Sequence, residues 1–239
     1  MDLQPVEGSM LGFLSDADRA HLVSGGVRRT FAENDVLLRQ GDPTDHVLVV
    51  VTGWVRIFFT DPDGQEIVAA LRGPGDVVGE RAALHDWDRT ATVQALTPVA
   101  VIQLSRGQFM ECLLTRPTIA IAMIKLMSNR LREADATLLE VTTLDVSRRV
   151  AAYLLRLASQ HGIPDADGTA LGLPLSQQEI ANRVGASLRA VARAIALLRE
   201  RGIISTTRPR RIVIMRPDVL RSFAGNVSAD NMSHGTWPT

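Results

Sequence analysis

Apolar residues follow three different rhythms along this chain. From about Val36 to Leu104 they come in short runs punctuated by glycine. Residues 47–52, 54–59, 66–71, 91–96 and 99–104 are short, rich in β-branched side chains and bounded by turn residues, which predicts strands. Gly41, Gly53, Asp63-Gly64, Gly73-Pro74-Gly75 and Gly79 mark the turns, and Asp63-Gly64 between two apolar runs predicts a hairpin. Many short strands at this spacing predict a sandwich or a rolled-up barrel. Ahead of them, residues 9–24 read as a short helix with a turn inside it, Ser15 and Asp18 being spaced as a capping box.

The second rhythm is helical. Ser105 can cap a helix running to about Arg116, and Pro117 stops it or starts the next one. Residues 118–143 form the longest periodic segment. Within it Ile124, Met127, Leu131, Ala134, Leu138 and Val141 stand alternately three and four apart, a heptad seam. Such a stripe can lie on the β domain as a core helix. Being narrow and flanked by Arg130, Arg132, Glu133 and Asp135, it fits the seam of a parallel two-chain dimer better.

The third region, from Val146 on, is expected to be all-helical apart from a wing. Residues 146–161 are amphipathic, and His161-Gly162-Ile163-Pro164 ends them with Gly then Pro. Residues 164–174 read as a polar loop. Ser176 can cap a helix, with Glu179 completing a capping box; Gly185 allows a left-handed turn, and Ser187 caps a second helix. Ile180 and Val184 share one face of the first helix, and Val191, Ile195 and Leu198 form the buried stripe of the second. Two short helices joined by such a turn are a helix-turn-helix unit. Residues 206–211 followed by residues 212–215 read as a β-wing, and residues 224–239 as a disordered tail.

Composition sharpens this division. The 239 residues are 46% hydrophobic and only 4% aromatic, so a soluble core must be built from Val, Leu, Ile and Ala. The zero net charge hides a split: residues 1–145 carry 13 basic and 20 acidic side chains, residues 146–239 carry 13 and 6. Between Leu175 and Arg216 there are nine arginines against Glu179 and Glu200, a basic excess suited to a polyanion. Ser176, Gln178, Ser187, Arg189, Arg193, Arg208 and Arg210 are the candidate DNA contacts. Ser187, Arg189 and Arg193 fall on the outward N-terminal part of the second helix, where base edges are read. Cys112 is the only cysteine, which excludes a disulfide framework and a cysteine-ligated cluster within one chain. No apolar run reaches membrane-spanning length and no signal peptide is evident, so a cytoplasmic protein without membrane contact is expected.

Residues 75–96 carry a second candidate site. A phosphate pocket needs free backbone N–H groups, a cation and a hydroxyl. Gly79 and the short run Glu80–Leu84 can supply the amides, Arg89 the cation and Thr90 the hydroxyl, leaving Glu80 to accept from sugar hydroxyls. An exposed turn with a Glu–Arg ion pair satisfies the same residues.

The stretch Gly79-Glu80 … Arg89-Thr90-Ala91 resembles the phosphate-binding cassette of cyclic-nucleotide-binding domains. Followed by a heptad helix and a winged helix-turn-helix, it is similar to the CRP/FNR family of bacterial transcription regulators over roughly residues 10–222. The resemblance implies an α+β chain. Its parts are an antiparallel, jelly-roll-like β-roll sensor (1–116), a dimerisation helix and hinge (117–145), a winged helix-turn-helix (146–223) and the tail (224–239). It implies a homodimer on pseudo-palindromic double-stranded DNA, with RNA polymerase as a further partner and a cyclic nucleotide as effector rather than a catalytic cofactor. Glu80 would hold the ribose 2′-hydroxyl and Arg89 the cyclic phosphate, with Thr90 and the amides of Arg81 and Ala82 completing its cradle. The hinge would lie at Leu144-Asp145-Val146.

Two positions depart from the family. Where cyclic-AMP-responsive members carry a Thr-Ser or Thr-Asn pair against adenine, this chain has Ala134 and Asp135. A carboxylate can accept from the N1 and N2 hydrogens of guanine or from an adenine amine. Cyclic AMP is placed slightly ahead of cyclic GMP, and a regulator needing no nucleotide or using another effector comes third. On the reading helix, many members carry Arg-Glu where this chain has Leu188-Arg189. Catalysis is not expected: Gly73-Pro74-Gly75 with Gly79 misses the dinucleotide fingerprint by one residue, and no P-loop, nucleophile elbow or metal motif appears. The five histidines are scattered without ligand spacing. The remaining alternative is a nucleotide-sensing module that does not bind DNA.

Overall fold

A computed structural model of the chain describes residues 8–225 except Pro209, with the side chains of Thr207 and Arg208 also outside the description. It divides into two compact units, residues 1–129 and 130–239. The expected tail lies outside the described residues from position 226 on, Ala224 instead ending the last helix as a buried residue, and the tip of the wing at Pro209 lies outside them as well.

The first unit opens with a 3-10 turn, Leu11–Phe13, and helix α1, Asp16–Val23. Ser15 caps α1, its hydroxyl accepting from the Asp18 amide at 3.2 Å. The strands are β1 (Val27–Phe31), β2 (Val36–Leu38), β3 (Val47–Thr52), β4 (Val55–Thr60), β5 (Glu66–Arg72) and β6 (Val77–Val78). Helix α2 (Glu80–His85) intervenes before β7 (Thr92–Ala95) and β8 (Val99–Leu104). Helices α3 (Arg106–Thr115) and α4 (Pro117–Thr143) follow. Ser105 caps α3 in a full capping box with Gln108, and Pro117 starts α4 rather than merely stopping α3. Two four-stranded antiparallel sheets result, in the orders β1-β8-β3-β6 and β2-β7-β4-β5.

Strand β3 shows why its sequence lacks polar alternation. Leu48 and Val50 point into a core between the sheets, with Leu38, Val93 and Val101. Val47, Val49 and Val51 point into a second core with Leu22, Phe109, Ile119 and Leu126. A strand buried on both faces reads as a continuous apolar run. The turn at Asp63-Gly64 joins β4 to β5, Gly64 adopting φ +83°.

Three strands of this unit escaped the sequence pattern. Strand β1, Val-Arg-Arg-Thr-Phe, is an edge strand whose side chains are mostly exposed, so burial imposed no apolar signature on it. The three residues of β2 and the two of β6 are too few to establish a period.

The second unit begins within α4 and adds α5 (Val146–His161), β9 (Gly162–Asp165), β10 (Gly168–Leu171), α6 (Gln177–Val184) and α7 (Leu188–Glu200). It ends with β11 (Ile204–Arg208), β12 (Arg211–Ile214) and α8 (Pro217–Ala224). The expectation of an all-helical region, with a polar loop at 164–174, is corrected here. Strands β9 and β10 form a hairpin, and the wing strands extend it into a sheet of order β11-β12-β10-β9. Pro164 is tolerated because β9 is an edge, where a missing N–H leaves no ladder bond unmade. Gly162 does follow α5, but with φ −71°, not left-handed. A Cβ there would lie 2.3 Å from the Ala158 carbonyl oxygen and 2.6 Å from Thr169 Cγ2, so close packing demands glycine.

Candidate nucleotide cassette and nucleic-acid interface

In the first unit the cassette residues converge on Arg89, which is buried. Its Nε donates to Thr44 Oγ1 at 2.9 Å, Nη1 to the Gly79 carbonyl at 2.9 Å and Nη2 to the His46 carbonyl at 2.6 Å. The backbone secures the same loop: Arg89 N donates to the Asp42 carbonyl at 2.9 Å, and Gly41 N to the Arg89 carbonyl at 2.8 Å. Among the described residues no carboxylate forms an ion pair with this guanidinium; its acceptors are neutral. Burial lowers its affinity for the proton, opposed by the charges of Asp45, Glu80 and Asp42. The group stays a cation, as a guanidinium does throughout the accessible pH range. Burial first, and then the charge of Arg89, lowers the pKa of His46 below the usual imidazole value, against Asp45.

Gly79 caps α2 at φ +83°, ψ +3°. Glu80 and Ala82 are buried, Arg81 is exposed, and Thr90 is half-buried directly after Arg89. Sequence reasoning missed Thr44 and His46, because more than 40 residues separate them from Arg89 and no local pattern links them. Asp135, assigned to the purine, is an exposed residue of α4 in the second unit.

The helix-turn-helix forms as its capping chemistry predicts. Ser176 Oγ accepts from the Glu179 amide at 3.1 Å while Glu179 Oε2 accepts from the Ser176 amide at 2.6 Å. Gly185 turns the chain at φ +63°, and Ser187 Oγ accepts from the Ala190 amide at 3.3 Å to start α7. Val191, Ala194, Ile195 and Leu198 are buried, leaving Arg189 and Arg193 exposed four residues apart on the opposite face. Gln178 is exposed and donates to Asn182 at 2.6 Å.

Not every arginine of the basic stretch faces outward. Arg183 donates to Thr137 Oγ1 at 2.8 Å and lies 5.5 Å from the Tyr153 ring centre, burial lowering its pKa. Arg210, at the wing turn, stands 3.8 Å from Glu179, and its carbonyl accepts from the Leu175 amide at 3.1 Å. Arg211 pairs with Asp165. Arg189, Arg193, Arg199, Arg201 and Arg216 are exposed, as is Arg210 itself, and Arg201 lies 5.6 Å from the Phe223 ring centre. Beside Arg183, Arg156 donates twice to Glu140, at 2.7 and 3.0 Å, and Gln160 to Glu133 at 3.2 Å. These bonds tie the second half of α4 to α5, and the Arg183 bond ties it to α6. No sequence spacing announced them.

The seam residues on α4 divide unequally. Met127 is half-buried against the first unit's helix-side core. Ile124, Leu131 and Leu138 are 65%, 65% and 66% exposed, and Val141 and Ala134 are also exposed. The residues of α4 that are buried are instead Ile119, Ala122, Met123, Leu126, Ala136 and Glu140. Among the described residues no helix is long and apolar enough to cross a membrane, and no cluster of potential metal ligands occurs.

Comparison with known proteins finds a domain family over each of the two regions. Residues 28–116 match the cyclic nucleotide-binding domain family, and residues 148–223 match the Crp-like helix-turn-helix domain family. The chain is 30% identical over 174 residues to a CRP-like cAMP-activated global transcriptional regulator of Mycobacterium tuberculosis, covering 73% of this chain and 78% of that protein. It is 29% identical to a global nitrogen regulator of Nostoc, covering 81% and 87%. Among solved structures it resembles a CRP-family transcriptional regulator from Thermus thermophilus, with TM-score 0.70, 26% identity, and 83% and 97% of the two chains covered. These relatives are transcription regulators, not enzymes.

Proposed function

This chain belongs to the CRP/FNR family of DNA-binding transcription regulators with a cyclic nucleotide-binding domain, and on that premise we propose that a cyclic nucleotide at Arg89 controls its DNA affinity. The observation that carries the reading is Arg89 itself. Buried cations are ordinarily paired with an anion, because desolvation is otherwise uncompensated. Here the partners are a hydroxyl and two carbonyls, which use three of the five N–H groups of a guanidinium. Two N–H groups are left for a phosphate. Glu80 takes the ribose hydroxyl, and Thr90 with the amides of Arg81 and Ala82 completes the cradle. Asp135 meets the purine, with cyclic AMP slightly ahead of cyclic GMP.

The protein acts as a homodimer joined along Ile124, Met127, Leu131, Ala134, Leu138 and Val141. Residues 1–116 sense, 117–145 dimerise and 146–223 read DNA. Two copies of α7 enter successive major grooves of a pseudo-palindrome with half-sites about 34 Å apart. Ser187, Arg189 and Arg193 lie at the base edges; Ser176, Gln178, Arg208 and Arg210 lie nearer the backbone. RNA polymerase is the further partner on the promoter. The nucleotide acts by binding one dimer state better than the other, since only differential affinity shifts a population.

Calorimetric titration of nucleotide-free protein with cyclic AMP and cyclic GMP tests the reading, comparing wild type with Arg89→Ala and Asp135→Ala. Binding that depends on Arg89 supports the cassette, and the preferred base with its Asp135 dependence identifies the purine. No binding of either nucleotide overturns it.

A further inference from the structure

The start of α7 presents a large apolar side chain where a DNA-reading helix ordinarily presents polar ones. Leu188, the first residue of the helix, is 47% exposed. The other large apolar residues exposed in residues 146–225 among those described, Ile163 and Met215, lie outside the helix-turn-helix. Leu188 sits between Ser187 and Arg189, about 100° around the helix from Arg189. Leu188 stands at the N-terminal end of the stripe formed by Val191, Ile195 and Leu198, but unlike those buried residues it is left half in the open at the start of the helix.

The surrounding chemistry narrows what Leu188 meets. From Ser187 to Ala196 the helix reads Ser-Leu-Arg-Ala-Val-Ala-Arg-Ala-Ile-Ala, with no carboxylate or amide side chain. No side chain there can accept from cytosine N4 through a carboxylate, or make the bidentate amide contact to adenine. Arg189 and Arg193 suit guanine or phosphate. The one major-groove feature that an aliphatic side chain recognises is the C5-methyl of thymine.

We propose that Leu188 is a specificity-determining residue that packs on a thymine methyl, so that each half-site combines a thymine read by Leu188 with guanine read by arginine. This rests on the DNA-reading function above and adds the base chemistry to it.

The test isolates one methyl group. Full-length protein, with saturating cyclic AMP or cyclic GMP at fixed salt, is used to select duplexes from a random pool. Each thymine of one half-site is then replaced singly by deoxyuridine, which removes only the methyl. One position should weaken binding about fourfold, the effect of losing one buried methyl-sized contact. Leu188→Ala should bind the thymine and uracil duplexes equally, while Leu188→Met restores the discrimination. Unchanged thermal melting and nucleotide titration of Leu188→Ala confirm that its fold is intact. A thymine penalty of the same size in Leu188→Ala, or none at any position of a selected site, overturns the assignment while leaving the regulator reading in place. Failure to select any duplex overturns both.

Discussion

Arg89 Nη1 donates to the carbonyl of Gly79 at 2.9 Å, and a Cβ added to residue 79 would stand 2.7 Å from that same nitrogen. The glycine therefore serves two needs: a φ of +83° and the close seat of a buried cation. Gly79→Ala should displace the guanidinium and weaken cyclic-nucleotide binding at least about tenfold, as expected when a charge-assisted hydrogen bond is misplaced. Titration calorimetry reads the affinity, and a melting curve shows the accompanying backbone strain. Unchanged affinity would separate Arg89 from the site.

The bidentate pair of Arg156 with Glu140 is nearly sealed, the side chains being 12% and 7% exposed. Burial alone would lower the arginine's pKa, but the hydrogen bonds and charge of Glu140 outweigh it and raise it. Arg156→Met should cost about 3–5 kcal/mol, because it strands a buried carboxylate. Glu140→Leu combined with Arg156→Met should recover most of that loss. Denaturant unfolding of the two variants and the wild type measures the difference.

Asp18 gives a pH-dependent contribution of known sign. The Thr118 hydroxyl donates to it at 2.9 Å and is the leading cause lowering its pKa below 3.8; burial opposes, while Ser15 and Arg116 assist. A carboxyl with a depressed folded-state pKa stabilises fully above its unfolded value and loses that contribution as pH falls through the folded one. The melting temperature of wild type should exceed that of Asp18→Asn by a constant margin above about pH 5, and the margin should close on further acidification. A margin that widens in acid contradicts this.

The exposed seam on α4 predicts an oligomeric phenotype. Leu138, 66% exposed, can accept a charge without disturbing either unit's core. Leu138→Glu should shift sedimentation from dimer toward folded monomer, since like charges would then face each other across a two-fold seam. An undiminished dimer would place the interface elsewhere.

Arg189 and Arg193 predict the size of the DNA contribution. Replacing both with alanine should lower specific affinity at least about thirtyfold for each half-site at fixed salt, taking about 1–3 kcal/mol for each guanine contact. If one contacts phosphate instead, the slope of log affinity against log salt falls by about 1.8, because the dimer loses that contact in both half-sites. Fluorescence anisotropy across a salt series distinguishes the two roles.

The helix-turn-helix was legible almost residue by residue, because its signals are local. Ser176 with Glu179, Gly185 and Ser187 each satisfy backbone groups within a few residues of themselves. The strands of the β-roll were legible where an apolar run had to be buried, as in β3 and β8. The hairpin of β9 and β10 was not, because Pro164, Asp165 and Gly168 carry turn chemistry, and its sheet is defined by a partner strand some 45 residues on, Thr169 pairing with Ile214.

Local composition by itself determined the caps, the charge division and the two motifs, since each depends on neighbours within a turn or a strand. Only the tertiary structure decided which charges are buried. It surrounded Arg89 with Thr44 and His46, turned Arg183 inward to Thr137 and closed Arg156 on Glu140. Desolvation belongs to the packed chain, because water is excluded only when segments remote in sequence close over the same atom.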